Sequence, residues 1–179
     1  CGSPGETAST PELGYHYSVS NWNNTAAMFE ALEHPLPSFN DHRFVLENVA
    51  LTAYDQLRQR MAWSLSNIVT IASQDITMED YTDAWTSYYD IFVRHAFGNY
   101  IDIMRDVSYH PLMGTYLSYR QNKAYAVQNT YPDENYAREI MQLFSIGLWH
   151  LNDDGTQKVD EKGQAMETYT NADIVDFAR

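Results

Sequence analysis

The sequence predicts a mainly α-helical domain fragment with one small β-hairpin or structured loop near residues 148–168. Apolar residues recur at helical spacing along several segments, and Ser, Thr, Asp, Pro and Gly stand where helices should begin and end. A chain of 179 residues, 44% of them apolar, can bury one core. Residues 1–40 lack this periodicity. We therefore predict an irregular arm or linker there and a helical domain over residues 41–179, incomplete at its C-terminus.

The first long helices are predicted from caps and apolar spacing. Asp55 is a good cap for a helix whose buried face should consist of Leu57, Met61, Leu65, Ile68 and Ala72. Glu79 and Asp80 place negative charge at the start of a second helix, where the helix dipole favours it, and this helix should run to about Phe97.

Shorter elements follow. Helices are expected over residues 100–107 and 111–118. Thr170 and Asp173 have the spacing of a capping box and should open a final helix. Two Asp- and Gly-containing turn signals, at residues 152–155 and 160–163, flank short segments and predict the hairpin. We find no internal repeat.

The stretch from Thr130 to Gly147 carries the fullest helix signals in the chain. Thr130 and Asp133 have the spacing of a helix start, and Gly147 is placed to end the helix in a left-handed conformation. On the polar face, Glu134 and Arg138 are four residues apart and able to pair. The opposite face should bury Tyr136, Ile140, Leu143 and Phe144.

Charge and composition argue against two classes of protein, nucleic-acid-binding proteins and proteins with a membrane-spanning helix. The net charge of -13 would repel the phosphates of a nucleic acid. No apolar run approaches the roughly 20 residues that a membrane-spanning helix needs. The single cysteine, Cys1, precedes small, flexible residues as in a processed bacterial lipoprotein, which makes Cys1 a candidate for lipidation.

Several motifs in order carry a family resemblance. They are Asp55–Ala62, Val93–Tyr100, His110–Met113, Glu134–Glu139 with Leu143 and Gly147, and Tyr169–Ile174 with Ala178 and Arg179. Over about residues 50–179 the chain resembles the bacterial family called domain of unknown function 1800, relative to which it is truncated. The resemblance implies an exported protein that is periplasmic, outer-membrane-associated or extracellular. It implies no activity, cofactor or catalytic residue.

Four side chains are the best candidates for chemistry. Imidazole and carboxylate groups ligate divalent metals and act as acids and bases, and the candidates are His95, His110, Glu134 and Glu139. The alternative, which we favour, is a structural polar hub that fixes the register of several helices and consists of Arg94, Asn135, Arg138, Glu139 and Asp173.

Two further patterns suggest binding. An aromatic stripe on the second helix could meet a ligand or serve as core and interface, and it contains Tyr81, Trp85, Tyr88 and Tyr89. Residues 150–161 overlay part of an EF-hand loop, with Asn152, Asp154 and Glu161 as weak metal candidates. The first position of that loop is His instead of Asp, so the set of oxygen ligands is incomplete.

These patterns favour an exported or cell-surface protein with a non-catalytic structural or binding role. Its expected partners are other protein subunits or a surface polysaccharide, and no cofactor is predicted. The alternative from a different class is a metal-dependent hydrolase that uses a divalent metal at the His and Glu candidates.

Overall fold

The computed structural model describes residues 41–72 and 82–178. These residues are mainly helical, which confirms the predicted fold class. The predictions for Cys1, the N-terminal arm and Tyr81 lie outside the described residues. The helices of the described part are α1 Asp41–Thr52, α2 Gln56–Ser66, α3 Thr82–Arg94, α4 Tyr100–Ser108, α5 Pro111–Tyr116, α6 Tyr125–Gln128, α7 Asn135–Gln142 and α8 Asn171–Phe177.

The chain divides into two compact units, the first ending at Tyr116 and the second beginning at Leu117. In the first unit α3 is central, because it packs against α1, α2, α4 and α5. Phe92 of α3 and Leu112 and Met113 of α5 are fully buried. This apolar core accounts for the order of the helices around α3.

The predicted buried face of α2 is wrong. Leu57 is 71% exposed and Met61 37% exposed, whereas Gln59 and Ala62 are buried. Gln59 and Ala62 are three residues apart and share one face, so the helix is turned relative to the prediction. The small side chain of Ala62 lets α2 approach its neighbours closely, and Gln59 is buried with its amide nitrogen hydrogen-bonded to the carboxylate of Asp55.

In the second unit α7 begins at Asn135, five residues later than predicted. Asp133 does not start the helix but accepts a hydrogen bond from the backbone N–H of Asn135 at 2.8 Å. The backbone of Asp133 is held by the Asn122 side chain, which bonds both its carbonyl oxygen and its N–H. Gly147 has the predicted left-handed conformation, with φ +74°, and its N–H donates to the carbonyl of Met141. It does not end the helix as predicted, because α7 already ends at Gln142.

The apolar face of α7 is partly as predicted. Tyr136 and Phe144 are buried, and the Tyr136 ring packs against Tyr119 at a tilt of 33°, with centroids 4.2 Å apart. It also approaches Phe177 of α8. Leu143 is exposed, contrary to the prediction, because α7 ends at Gln142 and the following residues leave the helical cylinder.

Residues 148–168 form three short extended segments that close on one another, an arrangement that we call the β-triangle. Antiparallel bridges join Trp149 to Glu167, Leu151 to Gln157 and Val159 to Ala165. The central backbone bonds also form a closed cycle, in which each N–H donates to a carbonyl of the preceding segment: His150 to Met166, Lys158 to His150 and Met166 to Lys158. Each segment is therefore paired with both others, which protects its edges.

The β-triangle contains an eight-residue repeat that we did not find in the sequence. Its bridges and its cyclic bonds recur at intervals of eight residues. Gly147, Gly155 and Gly163 occupy the same place in the repeat, two residues before the first bridged residue of each segment, and all have positive φ. The predicted hairpin is thus a three-segment element in which these glycines allow the left-handed turns.

Candidate functional site

His110 links the start of α5 to α3, because one ring nitrogen accepts a hydrogen bond and the other donates one. The backbone N–H of Leu112 points at Nδ1 at 3.3 Å, so Nδ1 carries the lone pair. Nε2 then carries the proton and donates to Ser87 Oγ at 3.2 Å, and Ser87 donates in turn to the carbonyl of Ala84. The ring packs edge-on against Tyr88, and burial lowers the pKa of His110 to about 4.

Ser87 and His110 are close enough to resemble a nucleophile and its base, a pairing that the sequence analysis missed. The proton arrangement opposes that role, because a base must present a lone pair to the serine hydroxyl. Here the lone pair faces the N–H of Leu112. The geometry makes His110 a neutral helix cap.

His95 ties the end of α3 to α4. Its Nε2 lies 2.8 Å from Asp106 Oδ2, which also accepts from Arg94 Nη1 at 3.1 Å. Arg94, expected in the polar hub, thus pairs with Asp106. A carboxylate that orients an imidazole can serve catalysis or structure, and here it is shared with an arginine across a helix junction.

The polar face of α7 joins α8 within the second unit. The predicted pair is present, with Arg138 Nη2 donating to Glu134 Oε2 at 2.6 Å. The same nitrogen donates to Asn171 Oδ1 at 3.1 Å. Asn171 takes the place expected for Asp173, whose carboxylate accepts the N–H and hydroxyl of Thr170 in the predicted capping box. The hub is thus a local link between two helices.

We expect Arg138→Ala to lower the free energy of unfolding by about 1 kcal/mol or less. The side chain of Arg138 is 45% exposed, so water replaces much of what the substitution removes. Urea denaturation measures the change, and Arg120→Ala, at an exposed position of the same unit, is the control. A loss above about 3 kcal/mol would show that Arg138 does more than join α7 to α8, and it would support the predicted polar hub of several helices.

The metal candidates are not grouped in the part of the chain that the structure describes. Across residues 41–72 and 82–178, no three His, Cys, Asp or Glu side chains lie where they could hold an ion together. His95 and Glu134 are each bonded to a neighbouring side chain. Glu139 Oε2 is buried, and no described residue bonds it.

The EF-hand interpretation of residues 150–161 is wrong, because they span two tight turns of the β-triangle rather than one loop between helices. In the first turn Asn152 Nδ2 donates to Thr156 Oγ1 at 3.0 Å. The hydroxyl and N–H of Thr156 both donate to Asp154 Oδ1, which lowers the pKa of Asp154. Glu161 lies in the next turn.

The aromatic stripe of α3 is mostly core. Trp85 and Tyr88 are buried, so for these two side chains the core alternative holds and they cannot form an exposed ligand platform. The Tyr88 hydroxyl donates to the carbonyl of Val69 at 2.8 Å, so it is satisfied inside the protein. Tyr89 is only partly buried and lines a cleft.

This cleft, of about 470 Å³, opens between α1 and α2, with Tyr89 of α3 in its wall. Its size is within the range of small-molecule sites in proteins. Leu46 and Ala50 supply apolar surface, and Trp63 lines the cleft with 60% of its surface exposed. We call it the α1–α2 cleft, and we take it as the candidate site of the first unit.

The polar lining of the α1–α2 cleft combines opposite charges with neutral groups. Glu47 and Arg60 are exposed on α1 and α2, and the buried Gln59 lies between the helices. Burial, with a contribution from Asp90, raises the pKa of Tyr89 to about 12, so its phenol stays protonated. The sequence analysis missed this site, although Trp63 beside Arg60 was a signal of it.

Comparisons with known proteins identify the family of the chain but no characterised relative. No curated protein and no solved structure matches the chain. No helix in the described residues has the length and apolar character to cross a bilayer. The model of the family described as protein of unknown function (DUF1800) matches residues 13–179, an extension of the region that the motifs covered. The chain therefore belongs to the DUF1800 family.

Proposed function

We propose that this protein is an exported, non-catalytic binding module whose α1–α2 cleft takes a neutral polysaccharide. The observation that carries the proposal is the exposed Trp63 in a cleft of about 470 Å³ that also contains hydrogen-bonding side chains. A large aromatic surface next to polar groups suits a ligand with apolar faces and hydroxyl edges. Export rests on the family resemblance.

Charge favours a neutral ligand. The net charge of -13 repels acidic polymers at long range. Within the cleft, Glu47 can accept hydrogen bonds and Arg60 can donate them, so a hydroxylated ligand can use both without carrying a charge. An acidic glycan would be attracted by the Arg60 guanidinium but repelled by the Glu47 carboxylate.

The hydrogen bonds of the candidate catalytic residues support a binding role. His110 presents a protonated nitrogen to Ser87, and the His95 imidazole is held by Asp106. Both arrangements stabilise helix ends in the first unit. A binding module needs only the preformed cleft, which the described helices supply.

We expect Trp63→Ala to weaken binding of neutral β-linked hexose oligomers at least tenfold, about 1.4 kcal/mol. The substitution removes the exposed aromatic surface of the cleft and leaves no internal cavity, because Trp63 is 60% exposed. Isothermal titration calorimetry of the whole chain with oligomers of one to six units measures the affinity.

Tyr109→Ala is the matched control, because Tyr109 is an aromatic residue of the first unit that is 86% exposed and does not line the cleft. Equal affinities of both variants for the oligomers would contradict the proposal, as would a preference for uronic acid oligomers. Retention of a protein subunit, without any glycan, would favour an assembly module instead.

A further inference from the structure

The lining of the α1–α2 cleft comes from one face of each helix. On α2, Gln56, Arg60 and Ser64 are four residues apart and therefore share a face, with Trp63 beside them. On α1, the lining includes Glu47, which is exposed. Arg60 thus stands in the middle of the α2 row, and Glu47 carries the opposite charge on the other helix.

The neutral polar side chains of the α2 row are bonded within the protein. Gln56 Nε2 donates to the carbonyls of Ala50 and Ala53 at 3.0 and 2.9 Å, which uses both amide hydrogens and ties the end of α1 to α2. Ser64 Oγ donates to the carbonyl of Arg60 at 3.1 Å. These bonds hold the walls of the cleft, and a ligand could use these donors only by breaking them.

The less exposed lining residues, Gln59 and Tyr89, are engaged as well. Gln59 is 5% exposed, and its Nε2 donates to Asp55 Oδ1 at 3.3 Å. The Tyr89 hydroxyl donates to the backbone carbonyl of Gln59 at 3.5 Å. The neutral polar residues therefore shape the cleft and contribute little free donor capacity to a ligand.

The charged groups of Glu47 and Arg60 are in a different state. Both side chains are exposed, and within residues 41–72 and 82–178 neither charged group forms an ion pair or a hydrogen bond, with the other or with a third residue. The indole N–H of Trp63 also has no bond to a described residue. The free hydrogen-bonding capacity of the cleft is thus concentrated in two opposite charges and an exposed aromatic ring.

We propose that Glu47 and Arg60 determine the specificity of the α1–α2 cleft, and that they select a sugar unit with two adjacent free hydroxyl groups. This inference rests on the proposed function, and it deepens it by naming the part of the sugar that is recognised. The two oxygens of the Glu47 carboxylate accept from the adjacent hydroxyls. The Arg60 guanidinium donates to oxygens of the same unit, whose apolar face packs on Trp63.

This recognition requires hydroxyl groups in both of their roles. A carboxylate has no hydrogen to give, so Glu47 needs hydroxyl donors, whereas a guanidinium only donates, so Arg60 needs oxygen acceptors. A free hydroxyl supplies both. A methyl ether or an acetyl ester keeps an acceptor oxygen but lacks the hydrogen that Glu47 requires, so we expect such substituted glycans to bind weakly.

The test uses neutral hexose trisaccharides in which one ring hydroxyl at a time is replaced by fluorine, which is close to a hydroxyl in size but cannot donate. We expect replacement at either of two adjacent positions to weaken binding about tenfold, because a hydrogen bond to a charged group is lost. In the Glu47→Ala variant the same replacements should change the affinity less than about twofold, because their partner is already absent. Isothermal titration calorimetry measures each affinity.

Arg60→Met tests the donor side of the cleft. It keeps an apolar side chain next to Trp63 but removes the guanidinium, and it should weaken binding of the unsubstituted trisaccharide about tenfold. Glu161→Ala and Arg120→Met, at exposed positions of the second unit, are the matched controls and should bind like the unsubstituted protein.

The outcomes separate this inference from the proposed function. Neither charged group bonds a described residue, so Glu47→Ala and Arg60→Met should keep the urea midpoint of the unsubstituted protein. Binding that depends on Trp63 but shows no adjacent pair of sensitive hydroxyls, or shows the same pair in Glu47→Ala, overturns this inference alone. An unchanged affinity of Arg60→Met overturns the role of Arg60. Absence of any sugar binding overturns the proposed function and this inference together.

Discussion

Arg58→Met should lower the free energy of unfolding of the first unit by about 3 kcal/mol. Arg58 is only 12% exposed at its side chain and joins α2 to the end of α3. Nη1 donates to the carbonyl of Val93 at 3.0 Å, and the guanidinium lies over the Phe97 ring, 5.1 Å from its centroid. Loss of the Arg58 guanidinium also removes the positive charge that lies 4.0 Å from the Asp55 carboxylate, which is largely buried as well.

Arg105→Met is the matched control for this prediction. Arg105 and Asp102 have the same three-residue spacing as Arg58 and Asp55, but the side chain of Arg105 is 61% exposed. We expect a loss below about 1 kcal/mol there, because exposed ion pairs contribute little. Urea denaturation followed by circular dichroism compares the two. Similar losses would show that the position of Arg58 at the helix junction has no special importance.

Arg58→Lys separates charge from geometry. Lysine keeps the positive charge but lacks the planar group that can stack on Phe97 while donating to a carbonyl. We therefore expect it to recover only part of the lost stability. This junction also connects two of the motifs that carry the family resemblance, since Arg58 belongs to the first and Val93 and Phe97 to the second.

The sequence predicted best the features that depend on neighbours along the chain. The pair of Glu134 and Arg138, the capping box at Thr170 and the left-handed Gly147 all involve residues within one or two helical turns. Such features are set by backbone geometry and short-range bonds, which spacing alone reveals.

Features that depend on packing partners were not predictable in this way. The buried face of α2 contains Gln59 and Ala62, whereas Leu57 and Met61 of the more apolar face are exposed. The α1–α2 cleft requires side chains as distant in sequence as Glu47 and Tyr89 to come together. The spacing of residues within one helix does not reveal which residues of other helices will lie next to it.

The β-triangle was half predicted. Its turns follow from the glycines, but the repeat is nearly invisible in the sequence because its segments share few residue types. Asn171 stands where a fourth glycine would fall, eight residues after Gly163, and there α8 begins. The repeat is therefore formed by backbone hydrogen bonds, and these bonds place little constraint on the side chains of the segments.

The stability of the first unit should fall as the pH drops from 6.5 to 4, and His110 should be one cause. The folded protein holds this ring neutral, because burial lowers its pKa from 6.5 to about 4. Its stabilising contribution is fully present above pH 6.5 and is lost as the pH falls towards 4, since the unfolded chain binds the proton first. With a discount for partial exposure, the loss is about 2 kcal/mol.

His110→Asn isolates this contribution. The Asn Oδ1 can accept the N–H of Leu112 as His Nδ1 does, but it does not titrate, and the bond to Ser87 is lost. At pH 7 we expect the variant to be about 1 kcal/mol less stable than the unsubstituted protein. At pH 4 this deficit should disappear or reverse, because protonating His110 would set an N–H against the N–H of Leu112. Urea denaturation at pH 7, 5.5 and 4 measures both proteins, and parallel pH profiles would mean that the His110 ring does not control the acid sensitivity of this helix junction.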